Sequence, residues 1–410
     1  MPPEPASRTD PHAWTMLLAL TAAFAMSQAF RTVAAILAPP LQAEFQLSPQ
    51  QLGIFAGAFH FAFAAMQLFV GIGIDLHGVR RTVLAAFPLA IAGALLSALA
   101  PGFVMLVLGQ VLIGVGCAPA FLVCTVFIAR RFPGERFAAV SGATLSIGGI
   151  GLLATGTPLA WLVEATSWRA GFWVLAGCSV LAWAVIARYV VEAPPAAAPG
   201  APRETLAQAS LAFVALFRQP HTVGIMALAF VCYAAFMTLR GLWLGPMLIE
   251  RHGFSLVAGG NVALAVSVAS LLSPALFGRF DPGGRTRHRW LAGWTLLMAA
   301  MFVALALVHA AAFDVGMALA VGLLSGYMIL QYAVVRAAYP AQMVGRALAL
   351  FTMAMFMGVA VMQWFTGWVA STAQAHGADI YAAVFLTIAA MLLAGTLVFV
   401  LMPRARHAPA

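Results

Sequence analysis

Long apolar stretches broken by short polar ones organise this chain. Windows of roughly 20 or more apolar residues fall near 14–40, 50–74, 82–101, 103–129, 137–166 and 170–191, and again near 221–249, 256–278, 290–309, 314–335, 347–371 and 379–402. These are continuous runs, not short alternating segments, so a closed membrane barrel is excluded. In lipid only a helix satisfies its own backbone groups within one segment. The pattern therefore predicts an all-α membrane protein with twelve transmembrane helices in two six-helix bundles. The stretch EAPPAAAPGAPRETLAQAS between the sixth and seventh windows is rich in Pro and Ala and cannot pack a core,. It reads as a linker. The organisation predicted is a first bundle over 1–192, a linker over 193–219, a second bundle over 220–403 and a tail over 404–410.

Composition agrees: the 410 residues are 63% hydrophobic and 8% charged, with a mean hydropathy of +0.97,. All 21 basic residues are Arg. Seventeen of them fall in segments that share one side if the N-terminus is inside, while Arg169 and Arg251 fall on the other side. By the positive-inside rule both termini are cytoplasmic, so the net charge of +9 records topology and gives no reason to expect nucleic acid. The first apolar stretch is too long for a signal-peptide core. Cys117, Cys124, Cys178 and Cys232 lack C-x-x-C spacing and read as small core residues.

The second half repeats the first. At an offset of 207 residues, Pro39 meets Pro246, Leu47-Ser48 meets Phe254-Ser255, Gly53 meets Gly260, Phe132-Pro133 meets Tyr339-Pro340 and Trp161 meets Trp368,. Parallel halves of this kind form a known transporter plan with the substrate bound between them.

The loop after the second window reads Gly71-Ile-Gly-Ile-Asp75-Leu-His77-Gly78-Val-Arg80-Arg81. Gly71 would let helices approach closely, Asp75 would cap a turn or pair with Arg, and Gly78 would make a tight turn. The loop resembles the signature G-x-x-x-D-x-x-G-x-[RK]-[RK] of the major facilitator superfamily. The segments Arg130-Arg131-Phe132-Pro133 and Ser167-Trp168-Arg169-Ala-Gly171-Phe172 resemble other superfamily loops. The resemblance covers essentially the whole chain. It implies the superfamily fold, alternating access by rocking of two bundles, and a conformational latch at Gly71, Asp75, Gly78, Arg80 and Arg81. Two departures weaken a proton-driven exporter reading. Gln110 stands where such exporters carry Arg, and their fifth-span signature survives only as Gly151…Gly156-Thr-Pro158. The glycines Gly148, Gly149, Gly151 and Gly156 read instead as close-packing sites.

Two arginines lie inside apolar windows, Arg31 and Arg240, 209 residues apart. A charge in hydrocarbon persists when it faces a partner, a cavity or a ligand. Each lies about 12–14 Å from its outer helix end at 1.5 Å per residue, farther than a guanidinium snorkels. With Ser27-Gln28 and Thr238 beside them, they resemble the organic-anion and nitrate-like branches of the superfamily. A planar fork of donors suits a carboxylate. The two-residue mismatch between 209 and 207 turns a helix face by about 200°, so a shared cavity is open. His60 is either a hydrogen-bonded core histidine or a proton-coupling group. Tyr233, Tyr327, Gln331 and Gln363 could bind substrate or bridge helices. The methionines near Met353–Met362 raise copper, but without His or Cys in that window adaptable packing is favoured.

The expectation is a secondary transporter moving a small anion, such as an organic carboxylate, across a bacterial inner membrane. It would be a multi-pass monomer in the lipid bilayer, with no cofactor, resident metal or nucleic-acid partner, and not an enzyme. The alternative is a proton-driven drug or metabolite efflux antiporter. A transport-defective sensor on the same fold would call for a soluble domain that the pattern does not offer.

Overall fold

The computed structural model describes residues 11–133, 136–192, 216 and 218–404. The linker expected at 193–219 and the tail beyond 404 lie almost entirely outside them. Among the described residues every regular element is helical. In the first half these are α1 (Pro11–Thr32), α2 (Ala34–Phe45), α3 (Pro49–Ala98), α4 (Phe103–Cys117), α5 (Ala120–Arg131), α6 (Phe137–Gly148), α7 (Ile150–Ala154), α8 (Thr157–Ala165) and α9 (Trp168–Tyr189). In the second half α10 (Pro220–Thr238) runs on through a π-helical turn at Leu239–Trp243, a short α stretch at Leu244–Pro246 and a second π turn at Met247–Arg251. There follow α11 (Leu256–Arg279), α12 (Gly284–Leu307), α13 (Ala311–Leu324), α14 (Ile329–Ala338), α15 (Ala341–Ala375) and α16 (Ile380–Leu401).

Eleven helical stretches among the described residues are long and apolar enough to cross a membrane. The second apolar window falls on the first arm of α3, over 49–77, which breaks at Gly78 and continues as a further span over Leu76–Ala98. Several of the sequence windows are broken where they pack. Val33 separates α1 from α2, and Gly149 and Gly156 interrupt the fifth window.

Helix starts follow local chemistry. At α3, Ser48 and Gln51 form a reciprocal capping box with Pro49 at the first position,. Ser255 caps α11 and Asp379 caps α16, each accepting backbone N–H groups the helix leaves free,.

Within the first half α3 packs on α4 and α9, and within the second α10 packs on α15 and α16. The halves meet along two seams, α3 against α15 and α7–α8 against α11. Near the ends of these helices the approach is very close. A Cβ on Gly53 would strike the Gln363 carbonyl oxygen of α15, and one on Gly245 would strike the Ala35 carbonyl oxygen of α2. Polar contacts seal the same end: Gln50 N–H donates to Ser371 Oγ at 2.9 Å, and Thr157 Oγ1 donates to Asn261 Oδ1 at 2.6 Å. The halves are therefore shut at the end where the 45–49 and 251–256 connections lie.

The four fifth-window glycines do pack closely, Gly151 against the Ala25 carbonyl and Gly148 against the Phe24 ring. Cys117, Cys124 and Cys232 are buried, but Cys178 is exposed on α9. Apolar surface faces lipid in a membrane protein, so apolar sequence context alone did not place that thiol inside.

Candidate functional site

Arg31 occupies the last turn of α1 and is buried, with 7% of its surface exposed. Its Nη1 donates to Gln28 Oε1 at 2.7 Å and its Nη2 to Ser27 Oγ at 3.2 Å. The guanidinium carbon lies 4.8 Å from the ring centre of Phe63 on α3 and 4.6 Å from that of Phe356 on α15. Cation–π contacts in such a desolvated place are worth about 2 kcal/mol each. The Nε–H has no hydrogen-bond partner.

Arg240 lies in the first π turn after α10 and is fully buried. Its Nε donates to Ser267 Oγ on α11 at 2.9 Å, and its Nη2 approaches the Leu152 carbonyl oxygen on α7 at 3.4 Å. Its Nη1 is unpartnered. Among the described residues neither arginine pairs with a carboxylate. Two buried cations thus keep unused donors, an arrangement whose desolvation cost only another polar group can offset.

The backbones of the two sites cross. A Cβ on Gly241 would come within 3.3 Å of the Arg31 carbonyl oxygen. From this crossing the side chains diverge to different seams. Arg31 takes one ring from the second helix of its own half and one from α15 of the other half. Arg240 takes a hydroxyl from the second helix of its own half and a carbonyl from α7 of the other. Ser267 stands 207 residues after His60, at the repeat offset. The two sites are thus related by the pseudo-symmetry of the halves, although their arginines are two residues out of register. A π turn carries a wider hydrogen-bonded ring than an α turn and re-aims the side chains on it. Arg240 sits on one, at Leu239–Trp243.

The other sequence-selected residues divide into two groups. His60 is buried beside Arg31: its Nδ1 meets the Ala56 carbonyl oxygen at 3.1 Å, and its ring stacks on Phe356 with centroids 6.2 Å apart. Its Nε2 has no partner. Tyr233 meets Phe356 edge-on at 5.3 Å. Gln363 is fully buried, with Nε2 3.5 Å from the Met237 carbonyl oxygen and Oε1 free. These three surround the Arg31 seam. Tyr327 and Gln331 lie elsewhere, inside the second half. The Tyr327 hydroxyl accepts from Thr295 Oγ1 at 3.2 Å, and Thr295 in turn meets Cys232. Gln331 is buried with Nε2 free.

Phe63, Phe356, Ser267 and Leu152 were not singled out from the sequence. Phenylalanines and a backbone carbonyl carry no polar signal in an apolar window, whereas Ser267 could have been found by adding the repeat offset to His60.

At the other end of the first half, Gly78 has φ +81° and ψ 170°, a conformation only glycine adopts readily,. The Glu192 carboxylate occupies the space where its side chain would be. Glu192 Oε2 accepts from the Arg80 backbone N–H at 2.9 Å, and Oε1 pairs with Arg130 Nη1 at 3.4 Å. Arg80 Nη2 donates to the Ala187 carbonyl oxygen at 3.0 Å. Arg81 is exposed, and the Asp75 side chain lies outside the described residues. A Cβ on Gly71 would meet nothing described within 4 Å, so the close helix approach expected there is corrected. The first-half loop is fastened by Glu192, the last residue before the linker.

The Major Facilitator Superfamily model matches residues 19–329. A hexuronate transporter of Bacillus subtilis (strain 168) is 29% identical over 231 residues, 55% of this chain and 54% of that protein. A probable sulfoacetate transporter of Cupriavidus necator is 24% identical over 234 residues, 54% of each chain. These alignments thus span about half the length of the curated relatives. The crystal structure of a D-xylose-proton symporter superposes with a TM-score of 0.75 at 16% identity, over 97% of this chain and 99% of that one. At that identity the likeness speaks to the fold.

Proposed function

The chain belongs to the major facilitator superfamily, and on that premise we propose that it is a secondary transporter of a small organic anion, not an enzyme. Two arginines with unused donors, buried where the halves meet and without carboxylate partners among the described residues, carry this reading. An anionic solute supplies the missing acceptor. Arg31 with Tyr233 and Gln363, and Arg240 with Ser267, offer donors from both halves, so a bound solute is held by both. Hexuronate and sulfoacetate, after which two relatives are named, are organic anions.

In this reading both termini lie in the cytoplasm, on the arginine-rich side of a bacterial-type inner membrane. The end sealed at Gly53, Gly245 and Gln50 is then the outer one. Rocking of the halves transfers the solute, and the Gly78–Glu192 fastening holds the inner loops of the first half as one body. In this reading His60, whose ring stacks on Phe356 beside Arg31, would couple a proton to anion binding. Tyr327 and Gln331 support the second half from within it.

Uptake into proteoliposomes tests the proposal, with labelled hexuronates, sulfoacetate and simple dicarboxylates as the panel. Arg31→Gln and Arg240→Gln should each lower uptake of the accepted anion at least tenfold. Unchanged uptake in both variants overturns it.

A further inference from the structure

A basic cavity lies away from the interface between the halves. It has a volume of about 390 Å³ and opens at one end of the second half, among the ends of α10, α12, α14 and α16. Arg285, Arg287 and Arg404 line it with His221 and His288, Arg287 being paired with Asp281, while Ile225, Phe399 and Met402 form apolar wall. Among the described residues no carboxylate lines it. The nearest acidic residue in sequence, Asp281, is already bound to Arg287 through two short contacts, at 2.7 and 2.6 Å.

Two helices point their N-termini at this cavity. α10 begins at Pro220 and α12 at Gly284; neither N-cap residue caps its helix with its own side chain, and Asp281 Oδ1 accepts the Gly283 N–H at 3.0 Å just before α12. Gly283 and Gly284, with φ +66° and +47°, bring the chain into α12 at that point. Free N–H groups and the positive end of a helix favour an anion. Phe399 stacks flat against His288, with centroids 5.4 Å apart and an interplanar angle of 8°, so apolar wall and basic rim meet at one spot.

The depth of the cavity decides what kind of anion fits. Trp290, one to two turns into α12 from Arg285, and Trp294 beyond it are part-buried. Tryptophan at a helix end marks the boundary between headgroups and hydrocarbon. The run Arg285, Arg287, His288, Arg289 and Trp290 therefore lies at headgroup level. A free phosphorylated solute would need a polar enclosure, whereas this cavity offers cations on one side and apolar wall on the other. Basic pockets between helices on the cytoplasmic side hold lipid headgroups.

We propose that this cavity is a binding site for an anionic phospholipid, whose phosphodiester is held by Arg285, Arg404 and the two helix N-termini and whose glycerol and upper chains lie on Phe399 and Met402. The cavity belongs to the second half alone, so its occupant is not the transported solute. Filling it ties α10, which leads into the π turn that carries Arg240, to α12 and α16.

Native mass spectrometry and thermal melting of the full chain in detergent, after delipidation, test the site with three probes: short-chain phosphatidylglycerol, phosphatidylcholine of the same chain length, and glycerol 1-phosphate. Phosphatidylglycerol should bind at least tenfold tighter than phosphatidylcholine and raise the melting temperature. The double variant Arg285→Gln/Arg404→Gln should lose that preference at least tenfold. The double lysine variant should retain part of it, and Arg289→Gln, on the same helix outside the cavity, should retain it fully. Melting in phosphatidylcholine alone reports whether each variant is folded. The proposal fails if the double glutamine variant, folded, binds phosphatidylglycerol as the parent does. It fails also if Arg289→Gln loses as much, or if glycerol 1-phosphate binds as tightly as the lipid.

Discussion

The guanidinium carbon of Arg31 lies 4.6 Å from the ring centre of Phe356, across the seam between the two halves. A cation of the first half is thereby covered by an aromatic face of the second. Any movement that separates the halves at this point uncovers the charge. Replacing Phe356 by Leu keeps most of the volume and removes the ring face. With about 0.5–2 kcal/mol in that contact, the change should raise KM for the accepted anion by about 2- to 30-fold if the ring holds Arg31 in its binding pose. Initial-rate uptake kinetics check this, and Phe63→Leu should behave alike.

Gly245 offers a test of the closed end. Its position leaves no room for a Cβ beside the Ala35 carbonyl oxygen, so Gly245→Val should keep that face from shutting. A cysteine placed at Ser371, in a background where the exposed Cys178 is Ser, should react faster with an impermeant maleimide in the valine variant. Equal labelling rates would show that the backbone yields instead. Transport should fall with the shift.

Gly78→Ala places a side chain where Glu192 sits and forces a φ of +81° on an L residue. Strain of this class costs about 1–3 kcal/mol. Its melting temperature should drop by several degrees, and Glu192→Gln should drop less, because a neutral amide still accepts from the Arg80 N–H.

Two ion pairs outside the spans give a pH dependence with a definite sign. A hydrogen bond from Arg169 holds Glu44 below its ordinary value of 4.5, and one from Arg287 holds Asp281 below 3.8. A carboxylate whose folded pKa is depressed stabilises the fold above its unfolded pKa, and that contribution disappears as the pH falls through the folded value. Thermal stability should therefore fall on acidification below about pH 4.5, first through Glu44 and then through Asp281. Glu44→Gln should flatten the upper part of that decline while changing the neutral melting temperature little, since the pair is solvent-exposed,. Melting curves from pH 6 to pH 3 measure both.

Much of the helical architecture was legible because hydrophobic windows are set by the bilayer itself. The two-half plan came from matches such as Pro39 with Pro246 and Trp161 with Trp368. The burial of Arg31, Arg240, His60 and Gln363 also followed from their being polar groups within long apolar runs, which turn away from lipid,. What could not be read was direction around the helix axis. The two-residue register difference left a shared cavity open, and the side chains go to different seams; the π turns at Leu239–Trp243 and Met247–Arg251 have no sequence signature in an apolar run. Tyr327 and Gln331 share one face, as spacing required. That face turns toward Thr295 and Cys232 and not toward the seam, because periodicity fixes which residues lie together and not what they meet. Gly71 failed for a similar reason: a glycine in a motif shows where a side chain is unnecessary or unwelcome, and only the neighbour tells which.

The unneutralised charges of Arg31 and Arg240 have an electrical consequence. An empty carrier holds two fixed positive charges within its spans, and binding a monoanion halves that charge. The return of the empty form and the crossing of the loaded form then respond differently to membrane voltage, at about 2.3 kcal/mol per elementary charge carried through the full field for every 100 mV. With the cytoplasm negative, whichever step shifts net positive charge inward is favoured. The membrane potential thus bears on the turnover of such a carrier even when the solute it accepts is accompanied by a proton.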